Sequence, residues 1–415
     1  MAQSTDEDTG ASTHQYPAGS RCWGDCDTLP AVPPPRPPDR HRLAELARLF
    51  GLLGVIGFGG PAAHVALVRR EVVERRQWMD DRRFLDLVGI TSLLPGPNST
   101  ELVMHVGLDR AGRPGLLVAG AAFIVPAALM VGALAALYVA AGSTPVGEGL
   151  LYGVKPVVIV IVLVAILRLG RAALAGPLRA TLGVAAAVLA LAGVHELAVL
   201  AGGAAAMALA RSTTRWRSGW LTRALAPMAG TGLLLGAAAQ TVSLGAMFAT
   251  FLKIGAVLYG SGYVLIALLR ADFVDRLGWI TDQQLLDAVA VGQVTPGPLF
   301  TTATFVGYLV AGPIGAILAT VAIFLPAFVF VALLGRLAAR LRARPLAGAL
   351  LDGVNAAAIG LMAAVSLPLA TSAIVDPLTG VLALAAGGLL LLGARSVWLI
   401  GLGMLVGAGR VLVGA

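Results

Sequence analysis

Residues 115–142 carry no charged side chain, and residues 154–167 carry only Lys155. The hydrocarbon core of a bilayer, about 30 Å thick, takes roughly 20 apolar residues of helix. A helix satisfies its own backbone N–H and C=O groups, which lipid cannot do for it. Comparable runs recur along most of the chain, and counting them predicts about ten helical segments, some of them broken. The composition agrees. The chain is 58% hydrophobic and 13% charged, against about 25% charged in soluble domains. The expected fold is therefore an all-α, multi-pass membrane protein, placed in the inner (plasma) membrane with the lipid bilayer as its first partner.

The runs are organised by an internal repeat. Under a shift of 201 residues, Phe50 falls on Phe251, Gly54 on Gly255, Arg69 on Arg270, Trp78 on Trp279, Asp86 on Asp287 and Thr100 on Thr301. Pro95-Gly96-Pro97 falls on Pro296-Gly297-Pro298. After one deletion the match continues through Gly107 and Gly307, Gly115 and Gly315, and Pro126 and Pro326. Apolar character alone would not align Arg, Asp, Trp and Pro-Gly-Pro, so the chain reads as two related halves, 41–222 and 223–415.

Each half starts with an apolar segment broken by glycines, continues through a charged stretch, and then places two short apolar segments around Pro-Gly-Pro. Residues 84–94 and 98–108 are each about half a membrane crossing long. Proline fixes φ and removes a donor, so the helix must break between them. Broken backbone at membrane depth is tolerated only where it is buried in protein or lines a cavity. Matching breaks in two repeats point to a transporter binding site. The first charged loop holds Arg69, Arg70, Arg75, Arg76, Arg82 and Arg83, whereas its copy holds only Arg270 and Arg276 among several aspartates. Arginine collects in cytoplasmic loops. The asymmetry predicts an inverted repeat, first loop cytoplasmic and second external; a parallel repeat is the alternative.

Residues 1–40 are polar and proline-rich and read as a flexible tail. They lack the charged start, apolar middle and cleavage site of a secretory signal. The tail holds Cys22 and Cys26, the two cysteines of the chain, which read as incidental and not as a metal pair. The +8 formal charge follows from the loop arginines. No basic helix with interleaved aromatics suggests nucleic acid, and no Walker sequence, nucleophile elbow or Cys/His cluster suggests an enzyme. No cofactor or metal is expected.

Several residues could carry chemistry. Helix starts leave N–H groups free and attract anions, and Pro is favoured there. Pro95, Gly96, Pro97, Asn98, Ser99 and Thr100, with Pro296, Gly297, Pro298, Thr301 and Thr302, would then form a cradle for a tetrahedral dianion, the alternative being a structural kink. Arg69 and Arg270 offer the planar fork that suits an oxyanion, or else snorkel at the interface. Lys155 and Lys253 are intramembrane lysines, or helix-end residues. Asp86 and Asp287 could carry a proton, or lock onto Arg69 or Arg75. His64 and His105 could couple protons near neutral pH, or serve as packing residues.

The chain resembles the chromate ion transporter family. The resemblance rests on Phe58-Gly59-Gly60-Pro61-Ala62-Ala63-His64, on residues 69–71 and 74–78, on Phe84-Leu85-Asp86, on Pro95-Gly96-Pro97-Asn98, and on residues 112–115 and 123–126. The second half is the weaker copy expected of the family's long, two-domain members. The resemblance implies export of chromate from the cytoplasm, driven by a proton gradient or the membrane potential, and hence chromate resistance. Sulfate, of nearly the same shape and charge, or another oxyanion is the alternative substrate, and a passive anion channel the alternative mechanism. A second copy of the chain is a candidate partner. Asp80-Asp81-Arg82-Arg83 departs from the acidic residues that similar proteins tend to have after the Trp motif.

Overall fold

Among the described residues, each repeat folds into seven helices. The first holds α1 (Arg40–Ile56), α2 (Gly60–Arg69), α3 (Asp81–Thr91), α4 (Asn98–Ala141), α5 (Pro145–Ala173), α6 (Pro177–Leu191) and α7 (Glu196–Ser212). The second holds α8 (Leu244–Val257), α9 (Val264–Leu269), α10 (Asp282–Val294), α11 (Thr302–Arg342), α12 (Pro345–Ala373), α13 (Pro377–Leu391) and α14 (Ser396–Val413). The computed structural model describes residues 40–58, 60–142, 144–212, 242–259, 262–342 and 345–413, apart from some side chains within them. These residues belong to one unit, Arg36–Ala415. The expected tail, its two cysteines and the 222/223 seam lie outside the described residues.

The expected ten or so segments become fourteen helices among the described residues. The difference comes from fragments: only α4, α5, α11 and α12 are long and apolar enough to cross a bilayer. Large apolar side chains on their outer faces are exposed, including Leu129, Leu137, Ile317 and Leu333. That is the surface a lipid-facing helix presents and one a monomeric soluble protein avoids.

Local sequence sets the helix starts. The Asp80 carboxylate accepts the Arg83 N–H at the start of α3, and Thr281 with Gln284 forms a reciprocal capping box at the start of α10. Such caps satisfy N–H groups that a helix cannot pair internally. Beyond Arg69 and Leu269 the chain continues as a π-helical turn, Arg70–Arg75 in one half and Arg270–Arg276 in the other.

The break at Pro-Gly-Pro makes a re-entrant hairpin. Arg83 at the start of α3 pairs with Asp109, 2.8 Å away, near the end of the first arm of α4. The chain thus goes in along α3, turns, and returns to the face it left. At Ala111 and Gly112 the helix leaves helical geometry (Gly112 φ 65°, ψ −154°), and the second arm folds back so that Gly115 lies against Gly107. Beyond Gly112 that arm is about 40 Å long at 1.5 Å per residue, enough to reach the opposite face. Ala311 and Gly312 repeat the same kink in α11, and Gly307 again meets Gly315.

The repeats are inverted. The start of α3 lies at the face where Asp109 and Arg110 sit. The start of α10, its copy, lines a cleft with Tyr138 and Gly142 from the far end of α4. The two copies of one loop therefore sit on opposite faces.

The C-terminal helices of each repeat are exchanged. α5 packs on α13 and α14 of the second half, while α12 packs on α6 and α7 of the first. Glycines permit close approach in both places: Gly153 lies against Gly403, and Gly353 against Gly203. Small residues replace the hydrophobic driving force that lipid does not provide between helices. Polar pairs mark the same joints. Asp352 on α12 binds Arg179 and Arg211 at 2.6 and 2.7 Å, and Tyr152 on α5 donates to Asp376.

Candidate functional site

Both Pro-Gly-Pro turns are buried, and each is bonded to the other half. The Gly96 N–H donates to the Leu258 carbonyl at 2.8 Å, and the Gly297 N–H donates to the Gly57 carbonyl at 2.9 Å. Positions 57 and 258 are equivalent in the repeat, as are 96 and 297, so the bonds are reciprocal. Each turn plugs the glycine break of the opposite repeat, where the carbonyl would otherwise lack a helical partner. Both glycines need their positive φ, 141° at Gly96 and 99° at Gly297, which other residues adopt only with strain. Neither leaves room for a side chain. A methyl on Gly96 would lie 2.5 Å from the Glu101 carboxyl and 3.5 Å from Ala327, and one on Gly297 would overlap Ala127.

The two turns differ in chemistry. At the first, His64 bridges the glycine break and the helix start: its Nε2 is 2.8 Å from the Gly57 carbonyl, and its Nδ1 is 3.4 Å from the Ser99 hydroxyl. The ring stands edge-on to Phe123. Ser99, Thr100, Glu101 and His105 are all buried. The Thr100 Oγ1, both Glu101 carboxyl oxygens and the His105 Nε2 have no hydrogen-bond partner among the described residues. Asn98 is half-buried. The Thr100 and Glu101 N–H groups donate to the Pro97 carbonyl at 2.8 and 3.0 Å, and the Asn98 and Ser99 N–H groups precede the first bonds of the helix.

At the second turn the equivalents of Asn98 and Ser99 are Leu299 and Phe300. Leu299–Thr301 winds as a short 3-10 turn. The Thr301 and Thr302 hydroxyls donate back to the Pro298 and Leu299 carbonyls at 2.9 and 2.8 Å. The expected cradle is lopsided, with the unengaged polar groups beside it on the first-half side.

Asp287 and Lys155 come together away from the turns. Asp287 is 1% exposed, accepts the Tyr138 hydroxyl at 3.0 Å and lies 3.6 Å from Lys155. Lys155 also donates to Gln283 at 3.3 Å. They line a cleft of about 460 Å³ with Glu148, Tyr152 and Gln284. The cleft lies toward the face opposite Arg83, and α10 runs from it to the second turn. Asp287 thus locks to Lys155, not to Arg69 or Arg75. Its copy Asp86 is exposed.

The structure does not bring the repeated arginines to the turns. Arg69 binds Glu74 and Asp81, and Arg270 binds Asp275 and Asp282 in the same pattern. Each clamps the π-helical end of one helix to the start of the next, and the two clamps sit on opposite faces. Asp81, helped by Glu74, pushes the Arg69 guanidinium further up from its already high range. Lys253 is held by buried Asp272 at 2.6 Å.

One residue at the turn escaped the sequence reading. Glu101 has no charged counterpart, its copy being Thr302, so a search for duplicated groups passes over it. The available signal was its position: an acid four residues beyond Pro97, followed by a stretch that is apolar as far as Asp109 save for His105.

Two inverted repeats of seven described helices each, with buried re-entrant turns each bonded to the other half, define a multi-pass membrane protein of the inverted-repeat transporter class. The chain belongs to the chromate transporter family, whose sequence model matches residues 44–209 and again 245–408. It is 35% identical over 395 residues to the "Chromate transport protein" of Pseudomonas aeruginosa, covering 88% of this chain and 90% of that one. It is 33% identical over 375 residues to the protein of the same name from Cupriavidus metallidurans, covering 86% and 92%. A "Probable chromate transport protein" of Synechococcus elongatus is 31% identical over 346 residues, covering 82% and 86%. No solved structure matches the chain.

Proposed function

We propose that this protein carries a small tetrahedral oxyanion, chromate first and sulfate as the alternative, outward across the cytoplasmic membrane. The observation that carries the reading is the burial of both Pro-Gly-Pro turns, each bonded to the glycine break of the other half, with unengaged polar groups beside the first. A helix start offers N–H donors and a positive dipole end to an anion. Pro97, Asn98, Ser99 and Thr100 form the binding side in this account, with Pro95 and Gly96 shaping the turn. Pro296, Gly297, Pro298 and Thr301 form the opposing wall. The names of the relatives support chromate as the substrate.

Orientation follows from charge. Arg70, Arg75, Arg76, Arg82, Arg83, Arg110 and Arg113 belong to the face where α3 starts, which makes that face cytoplasmic. The Lys155–Asp287 cleft then faces outward, and Lys155 receives the anion on the external side of the turns. A dianion leaving a cell that is negative inside moves down the membrane potential, at about 2.3 kcal/mol per charge per 100 mV. Export of this kind lowers internal chromate and confers resistance. Domain limits of 41–222 and 223–415 make each half one module of the carrier.

Uptake into everted vesicles tests the reading. Vesicles holding the protein should accumulate labelled chromate when energised, unlabelled sulfate should compete, and an uncoupler should abolish the difference from empty vesicles. Equal accumulation with and without the protein would remove the proposal.

A further inference from the structure

Glu101 is fully buried, in the first turns of α4, with neither carboxyl oxygen hydrogen-bonded among the described residues. Its carboxyl lies against Gly96, so that even a methyl there would be 2.5 Å from Oε1. Burying an uncompensated charge is expensive, and ionisable groups kept inside membrane proteins mark ion and proton pathways. The helix start beside it would attract an oxyanion. An ionised Glu101 would repel that same oxyanion at close range in a low dielectric.

Among the described residues, the groups around it do not supply a balancing cation. His64 on α2 is held between Gly57 and Ser99. His105 lies one turn further along α4. Tyr259, at the second glycine break, donates to the Leu93 carbonyl. α11 offers Ala327. Arg83 and Arg110 are committed to Asp109 and Glu45 at the far end of the arm, and Lys155 to Asp287.

Resting on the oxyanion reading, we propose that Glu101 is the proton-binding residue of the anion pathway: its carboxylate takes up one proton as the oxyanion enters the first turn, and the two cross together. The only bond made is O–H on the carboxyl. The new hydroxyl donates to an anion oxygen, and on release of the anion the proton leaves to water. A dianion then moves with one proton, so one net negative charge crosses, and the membrane potential still favours export.

The test uses the purified full chain in proteoliposomes with the membrane potential clamped and a pH-sensitive dye inside. Sulfate is run beside chromate, because sulfate stays a dianion between about pH 5.5 and 8 whereas chromate takes up a proton in that range. Wild type should move protons in the direction of the imposed anion gradient and run faster at acid pH. Glu101→Gln should move anion with at least a tenfold loss of proton movement and a flat pH profile, while Glu101→Asp should keep both. Proton movement by Glu101→Gln at the wild-type ratio overturns the inference. Should Glu101→Gln carry no anion, thermal stabilisation of the solubilised variant by sulfate decides. Stabilisation independent of pH supports the inference, and the wild-type pH profile overturns it. A wild type that carries neither anion removes the oxyanion reading itself, and this inference with it.

Discussion

The two halves share a backbone plan and divide in chemistry. At one turn Ser99, Thr100, Glu101, His64 and His105 crowd a helix start and leave buried atoms without partners. At the other, Leu299 and Phe300 fill the same places and the threonine hydroxyls are returned to local carbonyls. The acids differ in the same way. Asp287 is buried under Tyr138 and Lys155, whereas Asp86 is exposed and the residue equivalent to Lys155 is Asn355. Duplication keeps what the scaffold needs in both copies: the turns, the kinks at Gly112 and Gly312, and the arginine clamps. It leaves polar groups free to specialise, one copy at the turn and the other at the cleft.

The largest test of that division is Lys155→Met. It strands the Asp287 carboxylate and should cost about 3–5 kcal/mol, read by thermal unfolding in detergent. The double variant Lys155→Met, Asp287→Asn should recover most of the loss. Asp86→Asn should stay within about 0.5 kcal/mol, and an equal cost at Asp86 would break the asymmetry. Next come Gly96→Ala and Gly297→Ala, each expected to lose about 1–3 kcal/mol through forced positive φ and overlap. Because the two bonds are reciprocal, both should hurt; one silent variant would show that a single turn carries the joint. Thr100→Val should weaken chromate binding about tenfold, or roughly 1.4 kcal/mol, with stability unchanged, while Thr301→Val should leave binding alone. Competition in the vesicle assay separates the two. The smallest effect is expected from the clamps: Arg69→Gln and Arg270→Gln should each leave the transport rate within about twofold, since ion pairs near the surface contribute little.

Much of this plan was legible in the sequence. Trp78 with Trp279 and the two Pro-Gly-Pro triplets revealed the repeat because no apolar preference would place them so. The uneven arginines foretold the inversion. What escaped depends on distant pairing. Nothing local tells Lys155 that Asp287, in the other half, will be its partner, nor Gly96 that its N–H will meet Leu258. Arg69 looked like an oxyanion ligand because arginine chemistry is the same in a clamp and in a site; only Glu74 and Asp81 in place decide between them. Counting apolar runs fell short of fourteen helices because hairpin arms half a bilayer long do not score as crossings.

The exchange of α5–α7 with α12–α14 has a consequence for synthesis. When the ribosome has completed α7, the glycine face of α5 at Gly149 and Gly153 has no cover, for its partners Gly403 and Gly407 are on α14, in the repeat still to be made. The first half must therefore wait in the lipid, unfinished, until α14 has been inserted, and the joint between the halves closes late.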